Sequence, residues 1–345
     1  MNQVEIPLLD KDIGKEAKAH IDSLTKPIGS LGRLESLAVE LAEMTGQKFP
    51  VVSPPAALLF ASDHGVTDEG VSAYPKEVTA QMVLNFLSGG AAMNVFSRQI
   101  GAQFSIVDVG VAETVTHENL VSRKIRRGTR NFVIEDAMTE AETYEALNIG
   151  SEEAQTLIKK GAKCLIVGEM GIGNTTSSSA LLAVITEKNL AELIGPGTGL
   201  TTEQMKVKKS VIERAIEERK PNKNDPIDLL KKLGGYEIAA MAGAMLAAAR
   251  NRIPIIVDGF ICTVSAIIAT AINECASDYM LAGHYSAEPG HQAALEKLGK
   301  TPLLNLHMRL GEGTGAALAF PIVEAATKML SDMATFSEAG VSEKE

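Results

Sequence analysis

One unit recurs along this chain and limits its fold more than any other feature. A short apolar run, strand-like in length, ends in a polar or glycine-rich turn, and a helix of small residues follows. PAALLFASDHG (55–65) is followed, after a loop, by KEVTAQMVLNFLSGGAAMNVFSRQIG, and FSIVDVGV comes next. KCLIVGEMGIGN (163–174) leads into TTSSSALLAVITEKN, IPIIVDGF (253–260) into ICTVSAIIATAINE, and DYMLAGHYSAEPGH (278–291) into QAALEKLG. LLNLHMRLGEGTG (303–315) leads into AALAFPIVEAATKML. Strands alternating with helices at this spacing imply βαβ units joined by right-handed crossovers. The predicted class is therefore α/β, with a mostly parallel, Rossmann-like sheet flanked by helices. Both chain ends lack the pattern. DIGKEAKAHIDSL and LESLAVELAEMTG read as helices broken by TKPIGSLGR, and VEAATKMLSDMATF is helical again.

Composition removes several function classes. The net charge of −10 argues against a nucleic-acid binder, which needs a basic patch or stripe. Apolar stretches are interrupted by Asp, Arg, Lys or Gly well short of the roughly 18 residues of a membrane span. The first residues, MNQVEIPLLDKD, lack the basic and apolar regions of a signal peptide. The three cysteines, Cys164, Cys262 and Cys275, form no CxxC pair, and two of them lie in apolar runs. A reducing, cytoplasmic setting is expected.

Ligands of open parallel sheets bind beyond the carboxyl ends of the strands. Reading those ends gives Asp63, His64, Asp108, Glu169, Asp258, His284, Ser286, Arg309 and Glu312. Three segments there look like anion cradles: GEMGIGNTT (168–176), GPGTG (195–199) and GEGTG (311–315). Glycines let backbone approach a phosphate, and a following helix N-terminus directs N–H groups at it. None is a Walker A loop or a full GxGxxG, so no dinucleotide cofactor is expected. Two cradles contain a glutamate, Glu169 and Glu312. Each could bind ribose hydroxyls or act as a general base whose proton affinity burial raises. Lys206, Lys208 and Lys209 follow GPGTG as possible phosphate cations. His284, Glu288 and His291, with Asp63 and His64, invite a metal reading. They lie across a Pro-Gly turn rather than on one helical face, so no metal is expected. LGGYEIAAMAGAMLAAA is a small-residue helix that suits either a core or a subunit interface.

LTKPIGSLGRLE, ASDHGVTDEGVSAYPKEVTAQM, GEMGIGNTT, GPGTG, LGGYEIAAMAGAMLAAA, VDGFICT and MRLGEGTGAALA occur in this order. Together they closely resemble the nicotinate-nucleotide–dimethylbenzimidazole phosphoribosyltransferase family, over roughly Leu24 to Val341. The resemblance implies transfer of the phosphoribosyl group of nicotinate mononucleotide to 5,6-dimethylbenzimidazole, without a cofactor, in assembly of the lower ligand of cobalamin. It implies a homodimer, and a small helical domain drawn from residues 1–50 and 324–345 beside a catalytic α/β domain of residues 51–323. Carried over, Glu312 is the catalytic base. Ser72, Tyr74, Gln81 and Leu310 line the base pocket. Glu169, Gly171 and Asn174 serve the nucleotide, and Lys208 meets the phosphate.

Overall fold

Apolar runs become strands, and the glycine-rich turns end them. The computed structural model describes residues 5–195 and 199–342. Two helices come first, α1 (Lys11–Ser23) and α2 (Arg33–Thr45). There follow β1 (Pro55–Ser62), α3 (Glu77–Leu87), α4 (Ala92–Gln99), β2 (Gln103–Gly110), β3 (Leu120–Ser122) and α5 (Glu140–Lys159). Next are β4 (Cys164–Met170), α6 (Asn174–Thr186), α7 (Leu190–Leu193), α8 (Thr202–Arg219), α9 (Pro226–Leu233) and α10 (Tyr236–Arg250). The chain closes with β5 (Ile255–Val257), α11 (Phe260–Ile272), β6 (Met280–Ala282), α12 (Gly290–Leu298), α13 (Thr314–Asp332) and α14 (Phe336–Ala339).

The strands form one parallel sheet in the order β3-β2-β1-β4-β5-β6. Every residue of β1 and β4 is buried, as expected for strands covered by helices on both faces. The order reverses between β1 and β4, and the carboxyl ends at such a switch point are the usual ligand position of doubly wound sheets. Among the described residues no helix is long and apolar enough to cross a membrane.

Two expectations need correction. LLNLHMR is not a continuous strand; it meets the end of β6 through one parallel bridge, Leu304 to His284, with the Leu303 N–H donating to the Ala282 carbonyl at 3.0 Å and the Leu304 N–H to the Gly283 carbonyl at 3.1 Å. Asn305, Leu306 and His307 are exposed, and His307 takes a left-handed conformation (φ 53°) that ends extended pairing. Conversely, the three-residue edge strand β3 lies in a charged segment with no strand-like apolar run. The helix expected after β1 is two helices, parted at Ser88-Gly89-Gly90.

The small-residue segment is core. Tyr236 through Ala249 of α10 are all buried, against α5 on one side and the sheet on the other. Its backbone nearly touches that of α5. A Cβ on Gly150 would overlap the Ala240 carbonyl, and one on Gly243 would overlap that of Leu147. At the chain ends, α1, α2 and α13 pack together. Leu24 bridges antiparallel to Thr335, and the Thr25 N–H donates to the Ala334 carbonyl at 3.1 Å.

The helix contact yields a test. Gly150→Ala or Gly243→Ala should lower stability by about 1–3 kcal/mol, the usual cost of overpacking. This would be read as a lower urea midpoint at unchanged slope. An unmoved midpoint would show that the two helices part without cost.

Candidate active site

The crevice is built from the ends of β1 and β4 and from one loop that closes over them. At β1, the register with β2 shifts between Ala61 and Ser62, and the chain leaves the sheet through Asp63 and His64. Such irregularities re-aim side chains beside functional sites. Asp63 Oδ2 accepts from the Ala112 N–H at 2.7 Å. Burial pushes its carboxyl upward against that bond. His64 Nε2 lies 2.6 Å from Glu237 Oε1 in the first turn of α10, and both side chains are fully buried.

At β4, Glu169 is buried. Its Oε2 accepts from Asn174 Nδ2, and its Oε1 from the Glu312 N–H at 3.3 Å. Burial raises its proton affinity, with help from Glu237 and Glu312, to a pKa of about 8. Gly168, one residue earlier, explains how Glu312 comes so close, because any Cβ there would overlap the Glu312 carbonyl. Glu312 adopts φ 63°, a left-handed conformation unusual for a residue with a side chain. It is only 7% exposed, and burial followed by the charge of Asp258 raises its pKa to about 7. Asp258, at the end of β5, accepts from the N–H groups of Gly313 (3.1 Å) and Ala316 (2.9 Å) and so caps α13.

The GEMGIGN loop opens α6. The Asn174 N–H donates to the Gly171 carbonyl at 3.1 Å, and the Ile172 N–H to Thr79 Oγ1 of α3 at 3.1 Å. Gly171 lies against the Ser62 carbonyl with no room for a side chain. Lys208, buried in α8, donates to Thr175 Oγ1 at 3.1 Å and reaches the Gly195 carbonyl at 3.5 Å. Burial lowers its pKa to about 8, while Glu288 opposes the shift. Lys206 and Lys209 face outward, paired with Glu203 and Glu213 on the same helix. Residues 196–198 of GPGTG lie outside the described residues, so its cradle expectation stays open there.

The histidines suggested for a metal have other partners. His291 Nδ1 accepts from the Ser286 N–H at 2.8 Å, so the ring proton sits on Nε2, which donates to Thr263 Oγ1 at 3.0 Å. Burial, and then His284, hold its pKa at about 3, so the ring is neutral. His284 Nε2 lies 3.5 Å from Asp258 Oδ1.

The structure thus brings Glu169, Gly171, Asn174 and Glu312 into one bonded group, with Lys208 one residue away through Thr175. Ser72, Tyr74, Gln81 and Leu310 are not bonded into it. Ser72 is half-buried and accepts from the Tyr74 N–H at 3.2 Å. Tyr74, Gln81 and Leu310 are exposed. Glu237 escaped the sequence reading, although a lone acid opening a wholly apolar helix is a usable signal. Thr79 carried no signal, because a threonine in a helix face is ordinary.

The fold is that of an α/β enzyme, and this group places two buried carboxyls with proton affinities raised toward the neutral range at the sheet's switch point. A phosphoribosyltransferase family model matches residues 6–341. A nicotinate-nucleotide–dimethylbenzimidazole phosphoribosyltransferase of Halalkalibacterium halodurans is 49% identical, over 97% of this chain and 94% of that protein. One from Geobacter sulfurreducens is 46% identical over 97% and 96%. The crystal structure of CobT from Thermus thermophilus superposes with a TM-score of 0.93 at 43% identity, covering 96% of this chain and 100% of that one. The chain belongs to the nicotinate-nucleotide–dimethylbenzimidazole phosphoribosyltransferase family.

Glu169 has a consequence for stability. Its proton affinity is higher in the folded than in the unfolded chain, so its contribution is complete below the ordinary value of 4.5 and is lost as pH rises through about 8. Glu169→Gln should therefore show a smaller loss of melting temperature between pH 5 and pH 9 than the parent protein. An equal loss in both would contradict the assignment.

Proposed function

We propose that this protein transfers the phosphoribosyl group of nicotinate mononucleotide to 5,6-dimethylbenzimidazole, giving α-ribazole 5′-phosphate and nicotinate for the lower ligand of cobalamin. The observation that carries the mechanism is Glu312, a buried carboxyl with a pKa of about 7, held over the end of β4. Nicotinate attached at C1′ is a pyridinium and leaves without a strong general acid. The attacking imidazole nitrogen offers its lone pair, and the other ring nitrogen must lose its proton. Glu312 accepts that proton. Burial raises the proton affinity of both Glu312 and Glu169 toward the neutral range, and Glu169 is held by Asn174 and the Glu312 N–H, which leaves Glu312 as the base. Attack opposite nicotinate inverts C1′ from β to α through an oxocarbenium-like state, which the Glu312 carboxylate stabilises.

Lys208 and the N-terminus of α6 suit the 5′-phosphate, and Glu169, Gly171 and Asn174 the ribose side. Ser72, Tyr74, Gln81 and Leu310 would cover the aromatic base. Exposed Tyr74 and Leu310 offer apolar surface for a flat ring. We assign the helices of residues 1–50 and 324–345 to a small domain beside the catalytic domain of residues 51–323. The packing of α1 and α2 with α13 supports this, although α13 itself runs unbroken across position 323. The working form is a homodimer in the cytoplasm, a compartment that three free cysteines support.

Incubation of nicotinate mononucleotide with dimethylbenzimidazole, followed by product chromatography, tests the activity; no α-ribazole phosphate would refute it. Glu312→Gln should cut turnover by about 10²-fold or more, within the range of lost acid–base catalysis. In the parent enzyme, kcat/KM should rise with pH through about 7 as Glu312 loses its proton. A fully active Glu312→Gln protein would remove Glu312 from the role. Lys208→Met should raise KM for nicotinate mononucleotide at least about tenfold, as expected when a charged contact worth about 1.4 kcal/mol or more is lost.

A further inference from the structure

We propose that Asp258 is a positioning residue for this reaction: it fixes Glu312 against the crevice by holding the backbone on the C-terminal side of that glutamate. The proposal rests on the reading of Glu312 as the base. Glu312 occupies a left-handed conformation, which persists only where the surroundings over-determine it. Two anchors do so, one on each side of its Cα. The Glu312 N–H is tied to Glu169 from β4 at 3.3 Å, and the next N–H, that of Gly313, is tied to Asp258 from β5 at 3.1 Å. The second oxygen of Asp258 holds Ala316 at 2.9 Å, so the same carboxylate also fixes the first turn of α13. The loop cannot rotate about Glu312 without breaking a bond to a buried carboxylate.

The surroundings of Asp258 suit this task. It is fully buried at a helix N-terminus, where backbone dipoles favour negative charge. Burial works against the charge, and His284, 3.5 Å away, works for it. His284 makes that approach because residue 315 is glycine; any Cβ there would overlap the imidazole ring. Neither ring nitrogen of His284 has a hydrogen bond among the described residues.

Asp258 also acts on Glu312 through its field. Glu312 is faced by Asp258 and Glu169, Asp258 by His284 and the Cys262 thiol, and Glu169 by Glu237. The charge of Asp258 raises the proton affinity of Glu312, so its removal lowers that affinity. The acid limb of the pH profile then moves to lower pH, and where the variant keeps the parent's urea midpoint the shift reports the lost charge rather than exposure of Glu312.

The test uses the full chain, with nicotinate mononucleotide and dimethylbenzimidazole as substrates. It compares Asp258→Asn, Glu312→Gln and the double variant. Asp258→Asn should lose about 10–100-fold in kcat, the scale of a small misplacement of a reacting group. Its KM for nicotinate mononucleotide should change by less than about threefold, since phosphate and ribose contacts lie elsewhere. Its acid limb in kcat/KM should shift to lower pH. The double variant should be no slower than Glu312→Gln alone, because a residue acting through Glu312 has nothing left to position. If Asp258→Asn does not fold, Asp258→Ser, smaller and also uncharged, gives the same reading. An unmoved acid limb, or losses that multiply in the double variant, would overturn the proposal while Glu312→Gln stays inactive. Full activity of Glu312→Gln would instead overturn the base assignment, whatever Asp258→Asn does.

Discussion

Buried carboxylates tied to backbone N–H groups and to two imidazoles organise the carboxyl edge of this sheet. Burying a charge is costly unless it is paired or hydrogen-bonded. Here the compensation is also the architecture. Glu237 is matched by His64, which joins the start of α10 to the end of β1. Asp258 is matched by the first N–H groups of α13 and by His284. Glu169 is matched by Asn174 and by the N–H of Glu312. Each pairing connects separate turns or elements, so the polar groups that need satisfying also hold the crevice in shape. Glu312 differs in that no hydrogen bond to its carboxyl is among the causes that shift its proton affinity. Burial and a like charge both raise its proton affinity, and such an under-compensated carboxyl is suited to taking up a proton.

The rest of the molecule serves to make that edge rigid and close-packed. β1 and β4 are buried along their whole length, and α10 presses its backbone onto α5 through Gly150 and Gly243. Small residues replace aromatic bulk, in keeping with an aromatic content of 4%. Gly168 applies the same device at the site, where a strand residue without a side chain admits the backbone of the Glu312 loop. Positions held by packed helices and strands are more exact than positions on free loops. Tyr74 and Leu310 lack that support and are exposed.

Much of this was legible from the chain alone. The apolar runs at 55–62, 103–110 and 164–170 became the three long strands, because continuous apolar burial suits a strand covered on both faces. The same criterion failed for LLNLHMR. Its interleaved Asn305 and His307 are exposed, and its pairing beside β6 is confined to Leu303 and Leu304. It missed β3, which is too short to show a pattern. Glu169, Asn174 and Glu312 stood out by their glycine neighbours. Glu237 did not, because it lies in a helix whose other residues read as ordinary core. Asp258 was visible only as a strand-end residue, and His284 as that and as a metal candidate, with no hint that they meet.

What the sequence determined by itself was the class of fold, the edge of the sheet that carries polar groups, and the family, because these follow from local periodicity and from ordered blocks of residues. The tertiary structure alone decided which polar groups share an environment. Proton affinity depends on burial and on charges a few ångströms away, and those charges come from residues 63 to 312, spread across most of the chain. Glu312 illustrates the division. Its place in a glycine-rich turn is written in the sequence. Its left-handed backbone, its two carboxylate anchors and its pKa of about 7 exist only once β4, β5 and α13 have packed together.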